Sequence, residues 1–217
     1  MLFILFFIQA ASHASILSIN STASGYAVDG GTSGGGQMDG TFDIIGTADD
    51  IFLRKINGTS VFNYAEFRGV YEFSLPTTTV ISSDEIISAS LNFTSSYTSG
   101  SYGDGLRTYG YVADGNVSLD DFSQTSNNLG YTQFTGGSGY YNRSYSLDVT
   151  DFLITNIDDS NNLGFLFDVS YWNVYATLGS SANLSIEYAE ITTVPVPAAM
   201  WLFSSGLIGL LGLARRK

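Results

Sequence analysis

The chain has 217 residues, no cysteine, one histidine (His13) and a formal net charge of −12. Without cysteine there is neither a disulfide framework nor a thiolate metal site. The acidic balance opposes binding to nucleic acid and to anionic lipid, both of which are polyanions.

In chain order, Met1 to Ile8 is almost wholly apolar, and Gln9 to Ala14 supplies small residues. Ser12 and Ala14 stand where a signal peptidase favours small side chains, which predicts a signal peptide over residues 1–14. No Lys or Arg precedes the apolar stretch. The simplest reason is a start codon placed too late, the alternative being an uncleaved N-terminal anchor. Export would engage the secretion translocon and a signal peptidase. Loss of His13 with the leader would leave the body without histidine, which excludes Ser-His-Asp and Cys-His catalysis and His-ligated zinc. Between the two ends lie all 20 acidic residues but only five cations, Arg54, Lys55, Arg68, Arg107 and Arg143, for a net charge of −15.

Residues 15–40 are rich in Gly, Ser and Thr and are expected to form a mobile leader or a loosely paired edge strand. From residue 41 to 193 the signal has period two. Phe67, Tyr71, Phe73 and Leu75 share a face opposite Arg68, Glu72 and Ser74. Ile87, Ala89, Leu91 and Phe93 form the next inward row, followed by Tyr145, Leu147 and Val149, then Phe165, Phe167 and Val169. Trp172, Val174 and Ala176, with Trp172 in the core, precede a last strand that puts Leu184, Ile186 and Tyr188 inward. Gly, Asn, Asp and Ser clusters at 99–105, 136–139, 158–162 and 179–183 read as turns. Thr150 to Ile157 alone looks helical, with Thr150 as N-cap and Asp151 in the first turn. About 180 residues suffice for one domain with a real core. The predicted fold is an all-β, antiparallel β-sandwich of jelly-roll type, flanked by the signal peptide and a single C-terminal hydrophobic helix.

The C-terminus, 194–217, is the most specific segment. Val194-Pro195-Val196-Pro197 leads into an uncharged run of 17 residues, 198–214, closed by Arg215-Arg216-Lys217. That run is at the short limit for a spanning helix, and the cations should stay cytoplasmic, which anchors the body outside the inner membrane. Pro195, Val196, Pro197, Trp201, Leu202, Gly206, Gly209, Arg215 and Arg216 together resemble a PEP-CTERM sorting signal, more narrowly its VPLPA-CTERM variant with Val196 in place of Leu. The resemblance implies an exported protein of a Gram-negative bacterium whose tail is recognised by an exosortase and cut near the Pro-x-Pro stretch. It also implies delivery to the cell surface or extracellular matrix, often beside exopolysaccharide. A plain membrane anchor that is never cut is the alternative.

A second stretch, Arg68 to Pro76 followed by Ile86 to Leu91, resembles the opening of surface jelly-roll modules of the DNRLRE and carbohydrate-binding types. The Arg-rich signature of the former is absent. The resemblance implies an adhesive or glycan-associated module over about residues 60–190.

Three uses of the body's residues remain. Glu66, Glu72, Glu85, Glu187 and Glu190 offer carboxylates for glycoside hydrolysis, although alternation puts Glu72 and Glu187 on solvent faces. Loop acids, Asp49-Asp50, Asp104, Asp114 with Asn116, Asp120-Asp121 and Asp158-Asp159 with Asn161, could hold Ca2+, but none follows the EF-hand template and turn capping is the plainer use. Tyr97, Tyr102, Tyr109, Tyr111, Tyr131, Tyr140, Tyr141, Tyr171, Trp172 and Tyr175 could stack on sugar rings or simply fill strands. The sequence therefore points to an exported, non-enzymatic surface or matrix protein without a required cofactor. A secreted polysaccharide-active enzyme using a carboxylate pair is the alternative.

Overall fold

A computed structural model describes residues 11–30, 38–46, 50–56, 64–76, 81–99, 104–134 and 139–192. The chain divides into a unit of residues 16–188 and a second made of both terminal segments, 1–15 with 189–217. In the terminal unit the described residues are strand ends, and Ser15 Oγ donates to Glu190 Oε2 at 3.0 Å. Most of the signal peptide and the whole sorting segment, Pro195, Val196, Pro197, Trp201, Leu202, Gly206, Gly209, Arg215 and Arg216 included, lie outside the described residues. Among the described residues no helix is long and apolar enough to cross a membrane.

Among the described residues eleven strands form one mostly antiparallel sheet: β1 (Ala11–Asn20), β2 (Ala23–Gly30), β3 (Ile44–Gly46), β4 (Asp50–Ile56), β5 (Ala65–Ser74), β6 (Ile86–Ser99), β7 (Gly105–Val112), β8 (Asn128–Gln133), β9 (Gly139–Asp148), β10 (Asn162–Val169) and β11 (Tyr175–Thr192). The pairs are nested: β4 with β11, β5 with β10, β6 with β9 and β7 with β8. Further pairing of β7 with β10, β6 with β11 and β4 with β5 joins them in the order β8-β7-β10-β5-β4-β11-β6-β9. The end strands β8 and β9 approach each other, so the sheet is nearly closed around its interior.

Side chains that alternate inward fill that interior. Tyr71, Phe73, Leu91, Phe93, Phe165, Phe167, Leu184 and Ile186 are buried in one cluster with Leu53 and Leu153. Phe167 meets Tyr71 and Phe93 edge-on at 5.5 and 5.0 Å, and Phe73 meets Phe165 at 5.5 Å. A smaller cluster lies on the opposite face of β5, β7 and β10, where Val70, Tyr111 and Leu166 are covered by Phe42, Ala27 and Phe122. Gly164 makes this packing possible, because a Cβ there would stand 2.1 Å from the Tyr111 ring. Both faces of β5 and β10 are thus buried.

Several expectations change. Glu72 is fully buried, because the loop carrying Phe122 covers the face that alternation assigned to solvent. Ile87 is 51% exposed: a register shift against Glu187 and Tyr188 turns Ile86 inward and carries Ile87 out. Residues 179–183 are no turn. β11 runs through them with a bulge, at the place where its pairing with β6 shifts between Leu178 and Ala182. Trp172 is 42% exposed, since the chain turns through Asn173 in the left-handed region before β11 begins. The helix α1 spans Thr150–Asn156 with Val149 at its N-cap; Thr150 instead donates to Asp148 and receives the Ala89 N–H at 2.9 Å, tying α1 to β6. Within residues 15–40, Ala23–Gly30 pairs along its whole length with β5, and Ala27 and Asp29 are buried, so this stretch is built into the sheet.

Candidate functional site

The outward face of β4 and β11 carries a shallow aromatic hollow. Ile51 and Leu53 point into the core, which leaves Phe52 and Arg54 on the outer face. The register sets Thr177 beside Phe52 on one side and Tyr97 on the other, and sets Tyr175 beside Arg54. The Arg54 guanidinium lies 4.2 Å above the Tyr175 ring and its Nη2 donates to the Tyr175 hydroxyl at 3.0 Å. Phe52, 44% exposed, meets the Tyr26 edge at 5.5 Å, and Tyr26 stacks on Phe67. The hollow encloses about 450 Å³ and is lined by Asp50, Phe52, Arg54, Phe67, Tyr97 and Tyr175 among others. Such a lining combines apolar ring faces with a cation and an acid, a set that can stack on a sugar ring and orient its hydroxyls.

Tyr97 and Tyr175 were among the sequence candidates, whereas Phe52, Phe67 and Arg54 were not. The signal for Phe52 and Arg54 was the alternation of Ile51-Phe52-Leu53-Arg54. The other aromatic candidates are scattered. Tyr109 and Tyr111 pack in the smaller cluster, Tyr131 and Tyr171 are exposed on β8 and after β10, and Trp172 meets Tyr64 at 5.8 Å. Tyr140 and Tyr141 belong to β9, and Tyr102 lies outside the described residues.

The carboxylates divide between turns and two buried groups. Asp114 accepts the Asn116 N–H, Asp158 accepts the Ser83 N–H, and Glu85 accepts the Ser82 N–H. Glu187 accepts from Ser88. Asp49 lies outside the described residues, and among those described no three acidic or His side chains gather as metal ligands. The first buried group is ionic. Lys55 Nζ lies 2.8 Å from Asp168 and 3.2 Å from Glu66, and Arg68 Nε donates to Glu66 at 2.6 Å and its Nη1 to the Phe122 carbonyl at 2.8 Å. Asp29, also buried, accepts the backbone N–H groups of Asp39 and Gly40. Burial, then the neighbouring acids, holds Asp29 above the ordinary carboxylate range against those bonds.

The second group is Glu72 with Asp121. Tyr111 donates to Glu72 Oε1 at 3.1 Å, the Gly115 backbone also lies against the carboxyl, and Oε2 accepts no hydrogen bond of ordinary geometry. Burial first, then the Asp121 charge, pushes Glu72 above its ordinary range. Asp121 is also raised by burial, although the Ser118 N–H and hydroxyl oppose this. A carboxyl raised on folding binds its proton more tightly in the native state, so its contribution falls as pH rises from the unfolded value through the folded one. Glu72→Gln is therefore expected to stabilise the body by about 1 kcal/mol at about pH 7.5 and to change nothing below the ordinary Glu range. Urea denaturation at the two pH values checks this; a loss of stability at neutral pH would contradict it.

No protein-family model matches the chain, and no curated protein matches it. Among solved structures, it is similar to dimeric latent PorU from Porphyromonas gingivalis at 9% identity and TM-score 0.32, over 86% of this chain and 26% of that one. The chain thus spans about a quarter of the PorU chain's length. It is also similar to infectious bursal disease virus Gx strain at 9% identity and TM-score 0.17, over 85% of this chain and 78% of that one. Neither likeness is close enough to bear on fold or function.

Proposed function

We propose that this is an exported, non-enzymatic protein of a Gram-negative cell surface or extracellular matrix, sorted through its C-terminal tail by an exosortase and holding exopolysaccharide through its β body. The observation that carries the glycan half is the aromatic hollow of Phe52, Phe67, Tyr97 and Tyr175 flanked by Arg54 and Asp50. Burial of Glu66 and Glu72 supports a binding rather than a hydrolytic role, because a hydrolase needs two carboxylates open to one cleft. The body is read as a jelly roll, a reading supported by the nested pairing in which a long hairpin of four strands out and four back wraps on itself. The sorting half rests on Pro195-Val196-Pro197, the hydrophobic run and the basic end.

The deciding experiment compares the wild-type protein with a Phe52→Ala, Tyr175→Ala double variant for binding to exopolysaccharide purified from the host. The variant is expected to bind at least about tenfold more weakly, roughly 1.4 kcal/mol, with the melting temperature nearly unchanged. Equal binding by both proteins would remove the hollow as the site, and no binding by either would remove the glycan.

A further inference from the structure

We propose that Lys55 and Asp168 become joined by an intramolecular isopeptide bond, with Glu66 carrying the protons. Lys55 Nζ lies 2.8 Å from both oxygens of Asp168, so it faces the carboxyl carbon from between them. Glu66 Oε1 is 3.2 Å from the same nitrogen. The three residues come from three strands whose register holds them together: Lys55 on β4 pairs directly with Glu66 on β5, and β10, which carries Asp168, is the neighbour of β5. Their side chains are 15, 6 and 5% exposed, so water is largely kept from the group.

Residue choice argues in the same direction. The body has four arginines and only one lysine, and that lysine is the one held between two buried carboxylates. Arginine suits a buried ion pair better, because its fork satisfies two oxygens at once and its charge is permanent. Lysine differs in what it can do: an amine that has passed a proton to a neighbouring base is a nucleophile, which a guanidinium is not. Among the described residues Lys55 alone bonds the Asp168 oxygens, by an ion pair at Oδ1 and a hydrogen bond at Oδ2, so no other donor holds the carboxyl back from the amine. Burial, then the Glu66 charge, holds the Asp168 carboxyl above its usual range and favours the neutral, electrophilic acid. Arg68, bonded to Glu66 Oε1, fixes that carboxylate in place as an acceptor.

The chemistry balances without a further reactant. The Lys55 ammonium gives one proton, by way of Glu66, to the Asp168 carboxylate, which leaves a free amine beside a neutral acid. The amine attacks the Asp168 carboxyl carbon and the C–N bond forms. The nitrogen then gives a second proton to Glu66, which hands it to the leaving hydroxyl as the C–O bond breaks, so that water departs and Glu66 ends ionised as it began. Net, one ammonium and one carboxylate become one amide and one water, with no change of oxidation state. The product would clamp β4 to β10 across a separation of 113 residues in a chain that has no disulfide to do so.

The test is the mass of the full chain isolated from its host and denatured, together with its chymotryptic map. The expected result is a mass about 18 Da, one water, below that of the same processed chain without a bond, and a branched peptide joining the segments around Lys55 and Asp168. Asp168→Asn should instead lose about 17 Da, the mass of ammonia, and Glu66→Gln should show no loss. Linear Lys55 and Asp168 peptides at their plain masses in the wild-type chain would overturn the bond. A branched peptide in Glu66→Gln would overturn the role given to Glu66. The outcome does not depend on glycan binding or on processing of the tail, because the branched peptide is read from the body alone.

Discussion

Phe167→Ala is expected to destabilise the body by about 3–5 kcal/mol, and so to lower its melting temperature by roughly 10–15 °C. Phe167 is fully buried on β10, and its ring touches Tyr71 of β5 and Phe93 of β6 edge-on. Those two strands belong to opposite halves of the nearly closed sheet, so this one ring bridges them across the interior. Phe93 in turn stacks on Tyr145 of β9 at 5.5 Å. Truncation removes the dispersion contacts with two aromatic rings and leaves a cavity that rigid strands cannot close. Urea denaturation should show a lower midpoint with an unchanged slope. Ile87→Ala is the control, since Ile87 stands outward beyond the register shift and should cost no more than about 0.5 kcal/mol. A loss under about 1 kcal/mol for Phe167→Ala would mean that the two halves do not pack through this ring.

The contrast between Phe167 and Ile87 also marks how far the sequence can be read. Period-two alternation finds the inward rows of β6, β9, β10 and β11 because one face of each strand meets the core and apolar residues recur there. It fails where something other than pleating sets the face. A register shift sends Ile87 outward, and a left-handed Asn173 does the same for Trp172. Glu72 is misread because covering both faces of β5 requires a loop from far along the chain, and a polar residue on such a face carries no mark of what will cover it. Gly179 to Asn183 has the composition of a turn but serves as a bulge, since small polar residues satisfy both. The hollow was half legible: Tyr175 and Tyr97 stood out as aromatics, whereas their convergence with Phe52 depends on which strands become neighbours. No local pattern encodes that choice. The same holds for Lys55, Glu66 and Asp168, which become one group only through the pairing of β4, β5 and β10.

Lys55→Ala is expected to cost about 3–5 kcal/mol at neutral pH, because it leaves Asp168 and Glu66 buried with one cation fewer. Removing one partner of a buried pair is far more costly than removing both, so Lys55→Met with Asp168→Leu should recover the electrostatic part of the loss but not that of a covalent tie. The pH dependence separates the causes. Asp168 is already held above its ordinary range by burial and by Glu66, and without Lys55 the main opposing influence is gone. Its folded value therefore rises further, and the variant's deficit should be largest above that value and shrink as acidification neutralises the carboxyl. A deficit that disappears in acid would be wholly electrostatic, the cost of an unpaired buried charge. A deficit that persists in acid would belong to what protonation cannot restore, the lysine stem's packing and any covalent tie between β4 and β10. Denaturant midpoints across the acid range for the wild-type, single and double variants distinguish these. A single variant as stable as the wild type at neutral pH would show that Lys55 is not the counter-charge for Asp168.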